Sequence, residues 1–380
     1  MAKDSNIWVG MDMHKLSIAI CFLRGDSQVE ESREIRNEPA EIHKLFKKLK
    51  KEGTIRACYE AGGCGYTVRR QLEKMGISCE VIAPSMIPRR PGDKVKTDSR
   101  DARKIARLYR AGELTTIHVP AEAEEAARDL LRCREDLGED LNRQRHRLLK
   151  FFLRHGRIWK QTENWTVAHW KWLREQKFDL LAAQRTFEEY LAQLDHSLAR
   201  MKALDREIEA LAKQEPYRQA VDRLKCLKGF GTLAAMILVT EIQDFRRFAS
   251  PRELMNFVGL TPGVHASGGK GHGLSITKSG NGHVRRVVVE AAWNYTRRPQ
   301  LPSVIKKRCN GQPDVIVAEA REAQERLNFR YRHLRQKGKK PTVAVTAVAR
   351  ELLGFVWAVM LKDVPLRVLE EQASRKHGSQ

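Results

Sequence analysis

Residues 7–23 read IWVGMDMHKLSIAICFL. Two apolar runs, IWVGMDM (7–13) and LSIAICFL (16–23), flank a short polar break, and the second ends at the turn-forming RGDS (24–27). This pattern predicts a hairpin of two strands. Working outward, AEIHKLFKKLKKEG (40–53) spaces its apolar residues as one face of a helix and stops on a glycine. TIRACYEA (54–61) is strand-like. After a glycine turn, YTVRRQLEKMG (66–76) reads as helix and SCEVIAP (78–84) as strand. TDSRDARKIARLYRAG (97–112) is a helix with Thr97 placed as its N-cap and Gly112 at its end. Residues 1–120 therefore predict an α/β domain with a mixed sheet.

The character changes after that. Leu130, Cys133, Leu137, Leu141, Leu148 and Phe152 lie at helical spacing, as do Phe187, Leu191, Leu194, Leu198, Met201, Leu204, Ile208 and Leu211. Residues 121–215 are expected to form an antiparallel coiled-coil hairpin that serves oligomerisation. Its tip, IWKQTENWTVAHWKWL (158–173), holds four of the seven tryptophans. These are expected to pack the tip or a subunit contact rather than to stack on bases. Residues 216–363 read as a mostly helical domain. In LKCLKGFGTLAAMILVTEI (224–242), Gly229 and Gly231 stand between two helical runs, a helix–hairpin–helix-like arrangement. Glycines let a backbone approach a phosphate, and the next helix offers it free N–H groups. Residues 299–340 are strongly basic and read as an insertion or extended basic arm, with a solvated helix face as the plainer alternative, and 364–380 as a tail.

Lys and Arg number 70 against 47 Asp and Glu, a formal charge of +23. So large an excess points to a polyanionic partner, DNA or RNA. No apolar run near the N-terminus resembles a signal peptide, and the most apolar stretches are short and interrupted. The expectation is a cytoplasmic, nucleoid-associated protein without a membrane partner. The seven cysteines (21, 58, 64, 79, 133, 226, 309) form no CxxC pair, which argues against a zinc ribbon and for core filling.

Against this basic background four acids stand out. Asp12 lies at the end of the first strand and Glu60 at the end of a later one. Asp98 and Asp101 open a helix, three residues apart and so on one face. Acids from two strand ends and one helix can converge on a sheet rim, where their repulsion calls for cations. Mg²⁺ or Mn²⁺, as a pair of ions, suits such oxygen donors and suits phosphodiester chemistry. The basic run around them, with Arg89, Arg90, Lys94, Lys96, Arg100, Arg103 and Lys104, is placed to hold nucleic acid. Each acid also has a structural reading, since helix starts favour acids and Asp12 could begin a turn.

HASGGKGHGLSITKSGN (265–281) carries five glycines, three serines, two lysines and two histidines, and no hydrophobic periodicity. By itself it reads as a loop, either solvated or chemical.

The ordered acids resemble the DEDD tetrad of a RuvC-like, RNase H-fold nuclease. KTDSRDARKIARLYRAGEL (96–114) resembles the second acidic motif of the DEDD transposases of insertion sequences, the IS110 type. The run from Leu227 to Trp293 resembles the C-terminal domain of the same family. The resemblance covers residues 5 to about 298 and the closing helix. It implies a bridge-RNA-guided recombinase in which a serine of a Ser-Gly loop attacks DNA. Here that serine is Ser267, with Ser275 and Ser279 as weaker candidates. Lys270, Lys278, Arg285 and Arg286 would hold phosphates beside it. The resemblance also implies an element-encoded structured RNA and a homo-oligomer, dimer or tetramer, whose subunits share the acids and the serine. Two other classes stay open on the residues alone. A metal-dependent nuclease of the junction-resolving kind needs only the acids. A non-catalytic DNA-binding protein needs neither acids nor serine.

Overall fold

The computed structural model describes residues 6–88, 97–161, 163–267, 270–300 and 302–362, with the backbone alone at 264–267 and 270–274. The chain divides between Ala121 and Glu122 into two compact units.

In the first unit, β1 (Asn6–Met13) and β2 (Ser17–Arg24) form the expected hairpin, with Met13 opposite Ile18. β3 (Glu30–Arg36) adds antiparallel to β2. After α1 (Pro39–Leu49), β4 (Thr54–Glu60) returns parallel to β1. After α2 (Thr67–Lys74), β5 (Ser78–Ile82) adds parallel to β4. The sheet order β3-β2-β1-β4-β5 is that of an RNase H-like domain. β1 is central and covered on both faces, which explains its near-continuous apolar sequence. Ile7, Val9 and Met11 join Ile55, Ala57 and Tyr59 in a core closed by Ile42, Phe46 and Leu72 of α1 and α2. The other face carries α3 (Asp98–Arg110), whose Ala102 and Ala106 pack with Ala19, Cys21 and Leu23. Small residues let α3 lie close. A methyl group on Gly10 would meet the Ala102 carbonyl oxygen at 2.5 Å and the Ala106 Cα at 2.8 Å.

The second unit begins with α4 (Glu122–Arg154), α5 (Val167–Glu175) and α6 (Leu181–Leu211). Arg134 pairs with Asp205 at 2.8 Å, and the Phe152 and Phe187 rings lie 5.4 Å apart. Numbers rise on one helix as they fall on the other, so α4 and α6 run antiparallel. The tryptophans do pack this end. Trp165, Trp170 and Trp172 pack on a core that includes Phe151, Phe152 and Leu173, and Trp159 sits against Trp172 and His169. At the other end the expected stripe is displaced. Cys133 is exposed and Leu131 is buried, because there α4 packs into the core of the following helices rather than only on α6.

Those helices are α7 (Tyr217–Leu224), α8 (Thr232–Ile242), α9 (Pro251–Val258), α10 (Gly282–Ala292), α11 (Ser303–Cys309), α12 (Asp314–Gln336) and α13 (Pro341–Leu361). A two-stranded ribbon, β6 (Pro262–Ser267) with β7 (Lys270–Ile276), stands between α9 and α10. Ala127, Leu131, Ile208 and Ala212 from the roots of α4 and α6 share one core with α7–α13, so residues 122–362 do not separate at 215. α13 is long and apolar enough to cross a membrane by length and composition alone, yet here Val345, Val348, Leu352 and Val356 are fully buried in that core. Of the readings open for the basic segment 299–340, the structure shows the helix face and not the extended arm. The segment folds into α11 and α12, which bury Ile305, Ile316, Ala320, Ala323 and Leu327 and turn most of their cations outward.

Candidate active site

In β1, Ile7, Val9 and Met11 point to the α1–α2 face, so alternation sends Asp12 to the α3 face. Glu60 likewise alternates with Tyr59 and ends β4, the strand beside β1, one step past the Met11–Tyr59 pair. Gly10 lies under Ala102 and Ala106. Two residues further along β1 is Asp12, and one turn back along α3 is Asp98, so the geometry that seats α3 on Gly10 also brings these two carboxylates toward each other.

The residue that joins them was not singled out in the sequence. His14 Nε2 lies 3.2 Å from Asp12 Oδ2 and 3.3 Å from Asp98 Oδ1. Among the described residues, Asp12, His14 and Asp98 form a group whose ligand atoms all lie within 4.8 Å of one another, a candidate metal site. Burial raises the Asp12 carboxyl above its ordinary range. The His14 hydrogen bond opposes this, and the charges of Asp101 and Asp98 add to it. Asp101 is thus near enough to act on Asp12 through space, though neither it nor Glu60 belongs to the close group. The Asp12 side chain is 17% exposed, whereas Asp98 is 60% exposed and His14 46%. One anchored acid and two solvent-facing donors make a site that is open on one side. Its mixed oxygen and nitrogen donors fit a small divalent cation.

The glycine-rich stretch is not a plain loop. β6 and β7 pair antiparallel, with His265 opposite His272, Ala266 opposite Gly271 and Ser267 opposite Lys270. Ser267 therefore closes β6, and the two residues between the strands, Gly268 and Gly269, lie outside the described residues. The return from β7 is tied down at its base. Thr277 N–H donates to Thr261, Lys278 N–H to Gly259 and Asn281 N–H to Phe257, at 2.9, 3.1 and 2.9 Å. Lys278, Ser275 and Ser279 are exposed.

Asn281 caps α10 and also donates to Glu241 at 2.7 Å. Glu241 is buried and takes both branches of Arg132, at 2.7 and 3.0 Å. Burial raises this carboxyl, but the hydrogen bonds from Arg132 and Asn281 outweigh it, and the net direction is down.

The cations expected to hold nucleic acid fare differently. Arg89, Arg90, Lys94 and Lys96 lie outside the described residues. Arg100 is exposed, Lys104 is half-buried, and Arg103 donates to Ser32 at 3.0 Å. Arg285 donates to the Val258 carbonyl at 2.7 Å, and Arg286 pairs with Glu135 and Glu290. Both charges are thus engaged inside the unit. Gly229 has φ +96° and faces Ala291, with which a methyl group would collide at 2.7 Å, so close packing alone requires glycine there. Gly231 precedes α8, and a methyl group on it would meet open space.

A mixed RNase H-like sheet with acids at the ends of adjacent central strands and on a helix across them defines the DEDD class of transposases. Residues 9–155 match the model of the IS110 DEDD domain, described as a transposase, and residues 221–306 match the model described as the transposase IS116/IS110/IS902 family. The chain is 39% identical over 362 residues to "Putative transposase y4qE" of Sinorhizobium fredii, covering 94% of this chain and 90% of that protein. It is 38% identical over 339 residues to the transposase for insertion sequence element IS1533 of Leptospira borgpetersenii, covering 88% and 98%. A shorter match, 32% over 85 residues, links it to the transposase for insertion sequence element IS1328 of Yersinia enterocolitica, covering 22% and 25%. The chain belongs to the IS110 family of insertion-sequence transposases and is an enzyme of DNA recombination.

Proposed function

We propose that this transposase excises and inserts its element through a covalent serine–DNA intermediate. Ser267 Oγ attacks a phosphorus, the phosphorus–3′-oxygen bond breaks, and the leaving oxygen takes up a proton as the serine gives one up. The freed 3′ hydroxyl then attacks a serine-linked end and releases the serine. Ser267 closes β6 and is followed in sequence by two glycines, which bring no side chain to obstruct a phosphodiester. Asp12, Glu60, Asp98 and Asp101, with His14, would hold Mg²⁺ or Mn²⁺. Bound there, a pair of such ions neutralises the carboxylates and polarises phosphoryl oxygens. The observation that carries the reading is the His14 imidazole, 3.2 Å from the half-buried Asp12 and 3.3 Å from Asp98, with all three ligand atoms within 4.8 Å of one another.

The remaining parts follow the family. Lys270 and Lys278 hold phosphates near the serine, and the Gly229–Gly231 turn holds a DNA backbone. An element-encoded RNA selects donor and target. The α4–α6 hairpin works as a coiled coil in assembling a dimer or tetramer, so that acids and serine meet across subunits.

The test is adduct trapping. The chain is incubated with its element's junction DNA, the flanking non-coding RNA and Mg²⁺, then denatured. A protein–DNA band that disappears in Ser267→Ala is expected, with dependence on the RNA marking guidance. Cleavage without any adduct, lost in Asp12→Ala and kept in Ser267→Ala, leaves a metal-dependent nuclease and removes the serine role.

A further inference from the structure

We infer that the cleft between α7 and α11 is a phosphodiester-binding site that grips a nucleic-acid backbone beside the 229–231 turn. The inference rests on the nucleic-acid-binding part of the reading above and is independent of the serine chemistry. The cleft has a volume of about 430 Å³ and is lined by Lys225, Lys307, Arg308, Asn310 and Gln312, with Asp222 and Val304 completing it. Three cations meet one carboxylate there. Asp222 pairs with Lys225 at 3.3 Å, which leaves the cleft with an excess of two positive charges. Arg308 donates to the Phe230 carbonyl at 3.0 Å, which fixes α11 and its guanidinium against the glycine turn.

The crowding of positive charge continues around that turn. Lys228 Nζ lies 3.5 Å from the Arg298 carbonyl oxygen, which brings the Arg297–Arg298 pair to the same turn. Burial lowers the Lys228 ammonium below its ordinary value, and the Arg297 charge adds to the effect. Cations gathered this way repel one another, and an anion relieves the repulsion. Their spread selects the anion. A single small ion meets one or two of them, while a run of phosphates meets cations on both sides of the turn. Guanidinium and ammonium groups beside amide side chains are a donor-rich set for phosphodiester oxygens. Duplex DNA and structured RNA share that chemistry.

Binding of the full chain to a labelled DNA duplex of arbitrary sequence, and separately to a labelled RNA hairpin, is followed between about 50 and 200 mM salt. Lys307 is exposed, so Lys307→Gln leaves the fold intact, which a thermal melt checks. The expected result is a slope of log affinity against log salt that is smaller by about 0.9 on DNA, with affinity about eightfold weaker at about 0.1 M salt. A change confined to DNA, confined to RNA or common to both names the backbone that is gripped. An unchanged slope on both, or weaker binding with the slope preserved, overturns the proposal. Gly231→Ala, which meets open space, tests the turn separately. If it has no effect while Lys307→Gln lowers the slope, the cleft stands and the turn's amides are not the contact. If the unaltered chain shows no salt-sensitive binding, the underlying nucleic-acid reading falls and the cleft with it.

Discussion

Gly10→Ala is the substitution that ties the fold to the site most directly. Gly10 lies in the middle of β1, and the added methyl group would meet the Ala102 carbonyl oxygen at 2.5 Å and the Ala106 Cα at 2.8 Å. Both are backbone atoms of α3, so no side chain can swing away. Ordinary contact begins at 3.4 Å and the Ala106 amide nitrogen lies nearer still than the Ala102 oxygen, so the helix must retreat by about 1 Å. Overpacking of this kind costs about 1–3 kcal/mol. Replacing a strand glycine returns about 0.5–1 kcal/mol, so the net loss is about 0.5–2 kcal/mol. Function suffers more than stability. Asp98 and Asp101 ride on α3 while Asp12 and Glu60 stay with the sheet, and a misplacement of about 1 Å costs about a hundredfold in rate. The assay pairs urea unfolding with the rate of junction-DNA cleavage, using Asp12→Ala as the floor. A Gly10→Ala chain within about 0.5 kcal/mol of the original stability and within about twofold of its rate would refute the claim that α3 registers the acids through this contact.

Asp12→Asn tests the burial of the first acid. The folded chain raises this carboxyl above its unfolded value, so its ionised form costs stability at neutral pH, and the cost disappears once pH falls below the ordinary carboxylate range. In chelator, the Asn variant should melt above the original chain near pH 7, with the gap closing in acid. Added Mg²⁺ should raise the melting temperature of the original chain and leave the variant's nearly unchanged. Equal melting at pH 7 in chelator would contradict the burial argument. Arg132 and Glu241 test the root of the hairpin. Arg132→Ala takes the countercharge from a carboxylate that is 3% exposed and leaves Asn281 as a neutral donor to it, whereas Glu241→Ala takes the carboxylate from a guanidinium that is 40% exposed. The first should cost about 3–5 kcal/mol and the second distinctly less, because water reaches the guanidinium and not the carboxylate. Glu241 is held below its ordinary range, so its contribution is present at neutral pH and is lost as pH falls through the acid range. The reverse order of the two variants in urea unfolding would show that burial does not set the cost.

The first unit was legible because both faces of its central strand are covered, and a covered strand must be written in apolar residues. The acids at 12, 60, 98 and 101 stood out for the complementary reason, as charges at the ends of such segments. His14 did not, because one histidine in a polar break between two strands has no periodicity to betray where its ring points. Only the meeting of Asp12 and Asp98 across α3 gives it partners. The 262–276 ribbon was unreadable as strand because β6 and β7 pair backbone to backbone through glycine, histidine and serine rather than through an alternating apolar face. Segment 299–340 left arm and helix face undecided for the opposite reason. Its cations dominate the composition, while the stripe that seats α12, from Ile316 through Ala320 and Ala323 to Leu327, has only four members and two of them are alanine.

Net charge is a sum, and a sum hides which cations have anions of their own. A charge of +23 points to a polyanion but does not say where it lies. Arg286, on the helix that follows the ribbon, looks like a phosphate ligand in the sequence, yet Glu135 and Glu290 already neutralise it. Arg132 is matched by Glu241, Arg326 by Glu351 and Arg134 by Asp205. A phosphate arriving at such a pair must displace a carboxylate, and the exchange returns little free energy. Around the 229–231 turn the balance differs, because Lys307 and Arg308 share a cleft with a single carboxylate that Lys225 already engages. Counterions held there are released when a nucleic acid binds, and that release drives affinity. The salt slope of the Lys307→Gln chain therefore separates positive charge that folds this protein from positive charge that meets its substrate.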